Sequence, residues 1–250
     1  MRTRLLSLVA LVSLAGVAHA GAAAGPSPLV EELKTLHAHY HTDPGRLDAV
    51  RDGLLEAVKA DPRLENLLAL AQVSFIWGDI RAATREQRLE AYRQGREAAH
   101  RAIALNPKSA LAYFWFATNS GRLGQTQGII RSLFGLPAVK EAIRTAMNLD
   151  PMLTATYVLA GYVSLEVPAI FGGDIDMAEE LFRKGLEQDP RFTGIRVALA
   201  KVLIKKGRIA EARGELEAVL GEEHPSNPAD WTFKDSKEAR ELLQSMKARS

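Results

Sequence analysis

At 250 residues the chain is long enough for one large domain or two small ones. With 47% hydrophobic and 25% charged residues it has the composition of a globular protein, not a disordered one. The formal net charge of +2 comes from Arg2 and Arg4; beyond residue 20 the chain balances 30 basic against 30 acidic side chains. That leaves no basic excess for nucleic acid, and the absence of cysteine excludes disulfides, thiolate metal sites, cysteine nucleophiles and a lipid-bearing N-terminal Cys.

The first 20 residues read as a secretory signal peptide. Arg2 and Arg4 form a basic start, an apolar run of 13 residues follows from Leu5, and Ala18-His19-Ala20 supplies small residues at a cleavage site. The run is shorter than the roughly 20 residues needed to span a bilayer. Cleavage near Ala20 predicts an exported, periplasmic protein. Residues 21–28 are a flexible start of Ala, Gly and Pro, and residues 29–250 form a single helical-repeat domain.

A repeated signal organises the rest: Ala60-Asp61-Pro62, Leu105-Asn106-Pro107, Leu149-Asp150-Pro151 and Gln188-Asp189-Pro190, with a weaker one ending at Pro225. These prolines are 45, 44, 39 and 35 residues apart. A tetratricopeptide unit is about 34 residues, two antiparallel helices ending in proline. The spacing predicts insertions between the two helices of the earlier units. Eight residues before each proline stands an apolar residue (Leu54, Ala99, Ile143, Phe182), and five before it a small one (Ala57, Ala102, Ala146, Gly185). First helices are predicted over residues 64–77, 109–123, 152–167 and 192–206, after a starting pair at 28–40 and 47–60. Residues 235–247, with Ala239, Leu242, Leu243 and Met246, cap the array. No segment alternates with period two. The fold class is therefore all-α: a tetratricopeptide-like α-solenoid of about five to six antiparallel helix pairs with insertions.

Residues 149–190 show the unit best. Ile175, Ala178, Phe182, Gly185 and Leu186 make one apolar helical stripe. Asp174, after Gly172 and Gly173, is placed as the N-cap, and Pro190 stops the helix.

The runs RAIALNPKSALAYFWFATNSGRLG, KEAIRTAMNLDP and EVPAIFGGDIDMAEELFRKGLEQDP resemble the TatT component family associated with TRAP transporters, over residues 92–220. The most specific part is the turn Pro168, Gly172, Gly173 and Asp174. The resemblance implies a periplasmic tetratricopeptide-like protein, an oligomer, that docks a substrate-binding protein and carries an apolar channel for a small ligand. Family members can be lipoproteins, and this chain lacks the cysteine for that. Its middle is also similar to the regulator-of-microtubule-dynamics proteins, which share the helix-pair pattern.

The candidate chemistry is sparse. His37, His39 and His41 form HAHYH; His37 and His41 share a face if helical, a spacing that can hold a metal, but no Glu lies between them for a zincin. A solvated helix end is the simpler reading. Gly121, Gly124 and Gly128 do not match a phosphate loop and are read as a long connection between helices. Glu179 and Glu180 are read as solvated, and the cations Lys205, Lys206 and Arg208 as favoured by a helix C-terminus. There is no local catalytic signature, so no enzyme, cofactor or metal is expected. The aromatics carry more. Tyr113, Phe114, Trp115 and Phe116 are consecutive and point round more than half a helix, and residues 124–136 (GQTQGIIRSLFGL) form an apolar insertion. Trp77, Tyr113, Trp115, Ile130, Phe134 and Phe171 are the expected surface for an envelope protein partner, such as a periplasmic substrate-binding protein, or for an apolar ligand. A second function class is a general envelope adaptor or chaperone that binds peptides on its concave surface.

Overall fold

The computed structural model describes residues 27–247. The leader read over residues 1–20, and nearly all of the 21–28 stretch, lie outside the described residues. Five helix pairs follow: α1 (Pro28–His39) with α2 (Arg46–Ala60), α3 (Leu64–Ile80) with α4 (Arg85–Leu105), α5 (Ala110–Gln127) with α6 (Ile129–Leu149), α7 (Thr154–Glu166) with α8 (Ile175–Gln188), and α9 (Thr193–Lys205) with α10 (Ile209–Gly221). No strand occurs among the described residues. The tetratricopeptide-like all-α fold is therefore as the repeat signal predicts.

The Asx-Pro signals work by one local mechanism. Asp61, Asn106, Asp150 and Asp189 end α2, α4, α6 and α8 with nearly identical backbone angles, φ −142, −141, −142 and −138° and ψ 89, 90, 92 and 88°. The following proline disfavours helical ψ and sends each into an extended conformation. Their backbone N–H groups still donate to Ala57, Ala102, Ala146 and Gly185, the small residues of the repeat. The side chains of Asn106, Asp150 and Asp189 then accept from the N–H two residues on, of Lys108, Met152 and Arg191, at 3.0–3.1 Å. This Asx turn leads the chain over the proline into the next unit.

The expected insertions are extra helix, not loop. Helices α3 to α6 have 17, 21, 18 and 21 residues, whereas α7 to α10 have 13 or 14. Residues 124–136 form the end of α5, the start of α6 and a one-residue turn at Gly128, whose φ of 110° is open to glycine alone at little cost. Gly121 and Gly124, read as part of a long connection, are inside α5. The Ser132 Cα lies 3.0 Å from where a Cβ on residue 124 would stand, so Gly124 lets the hairpin close.

The assigned register holds. Leu54, Ala99, Ile143 and Phe182 are buried, as are Ala102, Ala146 and Gly185; Ala57 is half-buried. Phe182 packs into the space of an absent side chain at Gly161, in an edge contact with Tyr162 at 5.4 Å between centroids. Burying such a ring contributes about 1.5–3 kcal/mol. Across α3 and α5 the buried Asn119 donates through Nδ2 to the carbonyls of Ala71 (3.1 Å) and Trp115 (2.9 Å), satisfying the donors of its amide inside the core.

The turn before α8 explains its sequence. Pro168 opens a 3₁₀ turn (Ala169–Phe171), and Gly172 has φ 80°. Gly173 runs so close to α7 that a Cβ there would lie 1.7 Å from the carbonyl oxygen of Val167. Asp174 is the N-cap, its Oδ1 accepting from the N–H groups of Asp176 (2.9 Å) and Met177 (3.0 Å). Lys140 of α6 donates to the carbonyls of Phe171 (3.2 Å) and Gly172 (2.9 Å), fixing the turn against the neighbouring pair.

Glu179 is not solvated. It is buried on α8 and accepts from Arg183, Lys206 and Arg208, each at 2.7 Å. Lys206 also reaches Asp176, and Arg208 reaches Glu211. The cations after α9 thus serve more than the helix dipole: they tie α8 to the α9–α10 turn.

Candidate functional site

After α10 the chain leaves the repeat pattern. It forms a short α11 (Pro228–Asp230), a π-helical turn (Trp231–Asp235) and α12 (Ser236–Lys247). Helix α12 packs on α10 with Ala239 and Met246 buried and Leu242 and Leu243 half-buried, as a cap should. The turn before it does something else. It meets α1 and α9, and through Lys234 it reaches α3, so the end of the array touches its beginning.

The contacts are polar and aromatic. Tyr40, at the end of α1 and almost fully buried, donates a hydrogen bond from its hydroxyl to Asp230 Oδ1, and its ring stacks on Phe233 at 5.9 Å. Burial and the neighbouring Asp230 push the Tyr40 hydroxyl far above its ordinary pKa, so it acts as a donor. Trp231 Nε1 donates to the carbonyl of Val219 at 2.8 Å. Asp235 is buried and accepts from the Thr193 hydroxyl at 2.7 Å. Burial pushes the Asp235 carboxyl from 3.8 up to about 6, against the opposing hydrogen bond from Thr193. Lys234 lies 3.7 Å from Asp79 and 3.1 Å from Asp230. π-Turns of this kind concentrate at functional positions.

The structure does not bring His37 and His41 onto one helical face. Helix α1 ends at His39, so His41 falls beyond it, and no group of three or more His, Cys, Asp or Glu able to hold a metal occurs among the described residues. This end is solvated in part: His39, Thr42 and Asp43 are exposed, whereas His37 and His41 are half-buried, and burial lowers the His37 pKa against the opposing charge of Asp230.

The six expected surface residues separate into two sets. Trp77 is half-buried and committed: its Nε1 donates to Asp48 at 2.6 Å, and the Arg51 guanidinium lies 4.2 Å above its ring. Trp115 is core, 4.7 Å from Phe114 and 5.9 Å from Phe75, and Tyr113 packs half-buried beside it. Their local neighbours on α2 and α3 claim them. Ile130, Phe134 and Phe171 are exposed, at 68%, 82% and 45%. Ile129 and Ile170 join them, at 70% and 85%. Ile129, Ile130 and Phe134 lie on the first turns of α6, and Lys140, six residues beyond Phe134, holds the 3₁₀ turn that carries Ile170 and Phe171. Large exposed side chains such as these mark interaction surfaces.

A second constellation has no local sequence signal. Asp79 Oδ1, at the end of α3, accepts from the Tyr92 hydroxyl (2.6 Å) and from Arg122 Nε (3.0 Å) and Nη2 (2.5 Å). These residues lie 13 and 43 positions apart and meet only when α3, α4 and α5 pack.

Comparison with known proteins agrees with this architecture. A thermophilic TPR protein of Thermus thermophilus superposes with a TM-score of 0.63 at 21% identity, over 86% of this chain and 97% of that one. Pseudomonas aeruginosa PilF superposes with a TM-score of 0.53 at 17% identity, over 90% and 93%. Both show the fold alone. Anaphase-promoting complex subunit 7 of Arabidopsis thaliana is 30% identical over 121 residues, 47% of this chain; the chain spans about a fifth of that relative's length, 21%. The family pattern of regulator of microtubule dynamics protein 1-3 matches residues 29–247, from α1 to the last turn of α12, and the chain belongs to that family.

Proposed function

We propose that this chain is a non-enzymatic scaffold of the cell envelope that binds a protein partner through the apolar rim made by α6 and the 3₁₀ turn. The observation that carries the reading is the exposure of Phe134, at 82%, beside Ile129 and Ile130. These side chains gain nothing from the fold, and covering each would contribute about 1.5–3 kcal/mol. Arg2, Arg4, the apolar run and Ala18-His19-Ala20 support export with cleavage near Ala20, hence a periplasmic location. The partner we put forward is the substrate-binding protein of a TRAP-type transporter. Its support is the TatT resemblance over residues 92–220, whose distinctive turn, Pro168 to Asp174, carries Ile170 and Phe171 of the rim.

A general envelope adaptor is the second reading. It uses the same rim with a different partner. Binding of peptides along α1 and α9 is less well supported, because the chain's own segment from Pro228 to Asp235 already contacts both helices.

The test is capture from envelope extract with the wild-type chain and with Phe134→Ser. Wild type should retain a TRAP-type substrate-binding protein and the variant should lose it, with unchanged helical circular dichroism. Retention of other envelope proteins alone, lost in the variant, would favour the adaptor. Equal capture by both chains would remove the rim from consideration.

A further inference from the structure

An open recess of about 520 Å³ lies between the end of α3, the start of α4 and the end of α5. Its charged lining is Asp79, Arg85, Arg88 and Arg122. Three guanidinium groups therefore face one carboxylate. Asp79 is already engaged, by Tyr92, Arg122 and the more distant Lys234, and its side chain is only 10% exposed. Arg122 is held in place by Asp79 and donates through Nη1 to Gln125 at 3.2 Å. Arg85 donates through Nε to the Thr126 carbonyl at 3.1 Å, which orients its fork without neutralising it. Arg88 is exposed, and its side chain makes no hydrogen bond or ion pair among the described residues.

Within the recess nothing supplies the missing negative charge. The sequence from Ala98 to Lys140, which includes all of α5 and the first half of α6, contains no Asp or Glu. Of the carboxylates on α3 and α4, only Asp79 lines the recess. At several other surface positions an arginine pairs with a nearby carboxylate, as in Arg93 with Glu90 and Arg144 with Glu141. Here two arginines are left over beside a third that is pre-organised.

We infer that this recess binds a small phosphate monoester, gripped by Arg85, Arg88 and Arg122. Three guanidinium charges less the Asp79 carboxylate leave a surplus near two, which a monoester matches at roughly −1.5 to −2 near neutral pH and a carboxylate does not. Guanidinium forks meet phosphate oxygens in bidentate fashion, and the Tyr92 ring under Arg122, 5.7 Å from its guanidinium, keeps that fork from swinging away. The site shares no residue with the apolar rim and does not depend on the protein partner.

The test is calorimetric titration of the full mature chain with glycerol phosphate at fixed ionic strength. Binding should saturate, weaken at least tenfold in Arg88→Gln and in Arg85→Gln, and weaken on going from pH 7.5 to pH 5, where the monoester loses its second charge. Neither variant removes a group from the core, and circular dichroism checks that both fold. A second arm separates a free ester from a lipid headgroup. Sedimentation with phosphatidate vesicles that glycerol phosphate reverses would make the headgroup the source, in the same recess. Heats no larger than those of chloride at equal strength would overturn the proposal. So would variants that bind like wild type, or vesicle binding indifferent to Arg88→Gln.

Discussion

Asp235→Asn should stabilise the protein more at neutral pH than at acid pH. Burial raises the Asp235 carboxyl from 3.8 in the unfolded chain to about 6 in the fold. Below the lower value both states hold the proton and the residue has no effect. Between the two, the unfolded chain ionises while the folded one does not, so stability falls as pH rises. Above about 6 the folded state carries the whole penalty of a buried carboxylate. At about 1.36 kcal/mol per unit, that penalty is about 3 kcal/mol at pH 7.5 and about 1 kcal/mol at pH 4.5. Asparagine is neutral throughout, and its Oδ1 can still accept from the Thr193 hydroxyl, now 2.7 Å from the carboxylate. Urea unfolding of both chains at the two pH values measures the difference directly. The variant's advantage should grow by about 2 kcal/mol from acid to neutral. Effects of pH on other groups cancel in the comparison. An advantage that is flat with pH, or a variant less stable at pH 7.5, would refute the reasoning.

Glu179→Gln should behave with the opposite sign. Burial pushes the Glu179 carboxyl up, but hydrogen bonds from Lys206, Arg183 and Arg208 outweigh it and bring the carboxyl from 4.5 down to about 2. Its contribution is therefore present above 4.5 and lost as pH falls towards 2; the variant should cost roughly 2–3 kcal/mol at pH 7 and progressively less in acid, read by the same unfolding curves. Gly173→Ala forces a Cβ onto the Val167 carbonyl and should destabilise by about 3 kcal/mol, or leave no soluble protein. Ala146→Glu puts a charge at a fully buried position and should cost roughly 2–4 kcal/mol; melting like wild type would break the register assigned to α6. Phe134→Ser should melt within about 0.5 kcal/mol of wild type, as surface changes do.

The parts of the fold visible in the sequence are those set by short-range chemistry. Asp61, Asn106, Asp150 and Asp189 announce their turns because the following proline and the Asx side chain act within two residues. Asp174 announces α8 for the same reason. Residues 124–136 misled because glycine and glutamine suggest a loop, and only the packing of Gly124 against Ser132 reveals a helical hairpin. Glu179 looked solvated because its partners Lys206 and Arg208 are 27 and 29 residues away. Trp77 and Trp115 looked available because aromaticity does not say whether a neighbour is waiting; Asp48, Arg51 and Phe75 are, and for Phe134 nothing is. The Asp79, Tyr92 and Arg122 cluster, and the meeting of Tyr40 with Asp230 across 190 residues, have no local trace at all.

That last contact changes the mechanics of the molecule. In an open helical array each unit touches only its neighbours, so the array flexes like a spring and frays from its ends. Here Tyr40, Asp230, Phe233 and Lys234 join the first two units to the last. Extension or twisting of the array must break this clasp before it can proceed, and neither end is free to unravel first. Heat should therefore unfold the chain in one sharp step, whereas Tyr40→Phe, which opens the clasp at its hydrogen bond, should broaden the transition and let the terminal pairs exchange their amide hydrogens ahead of the centre.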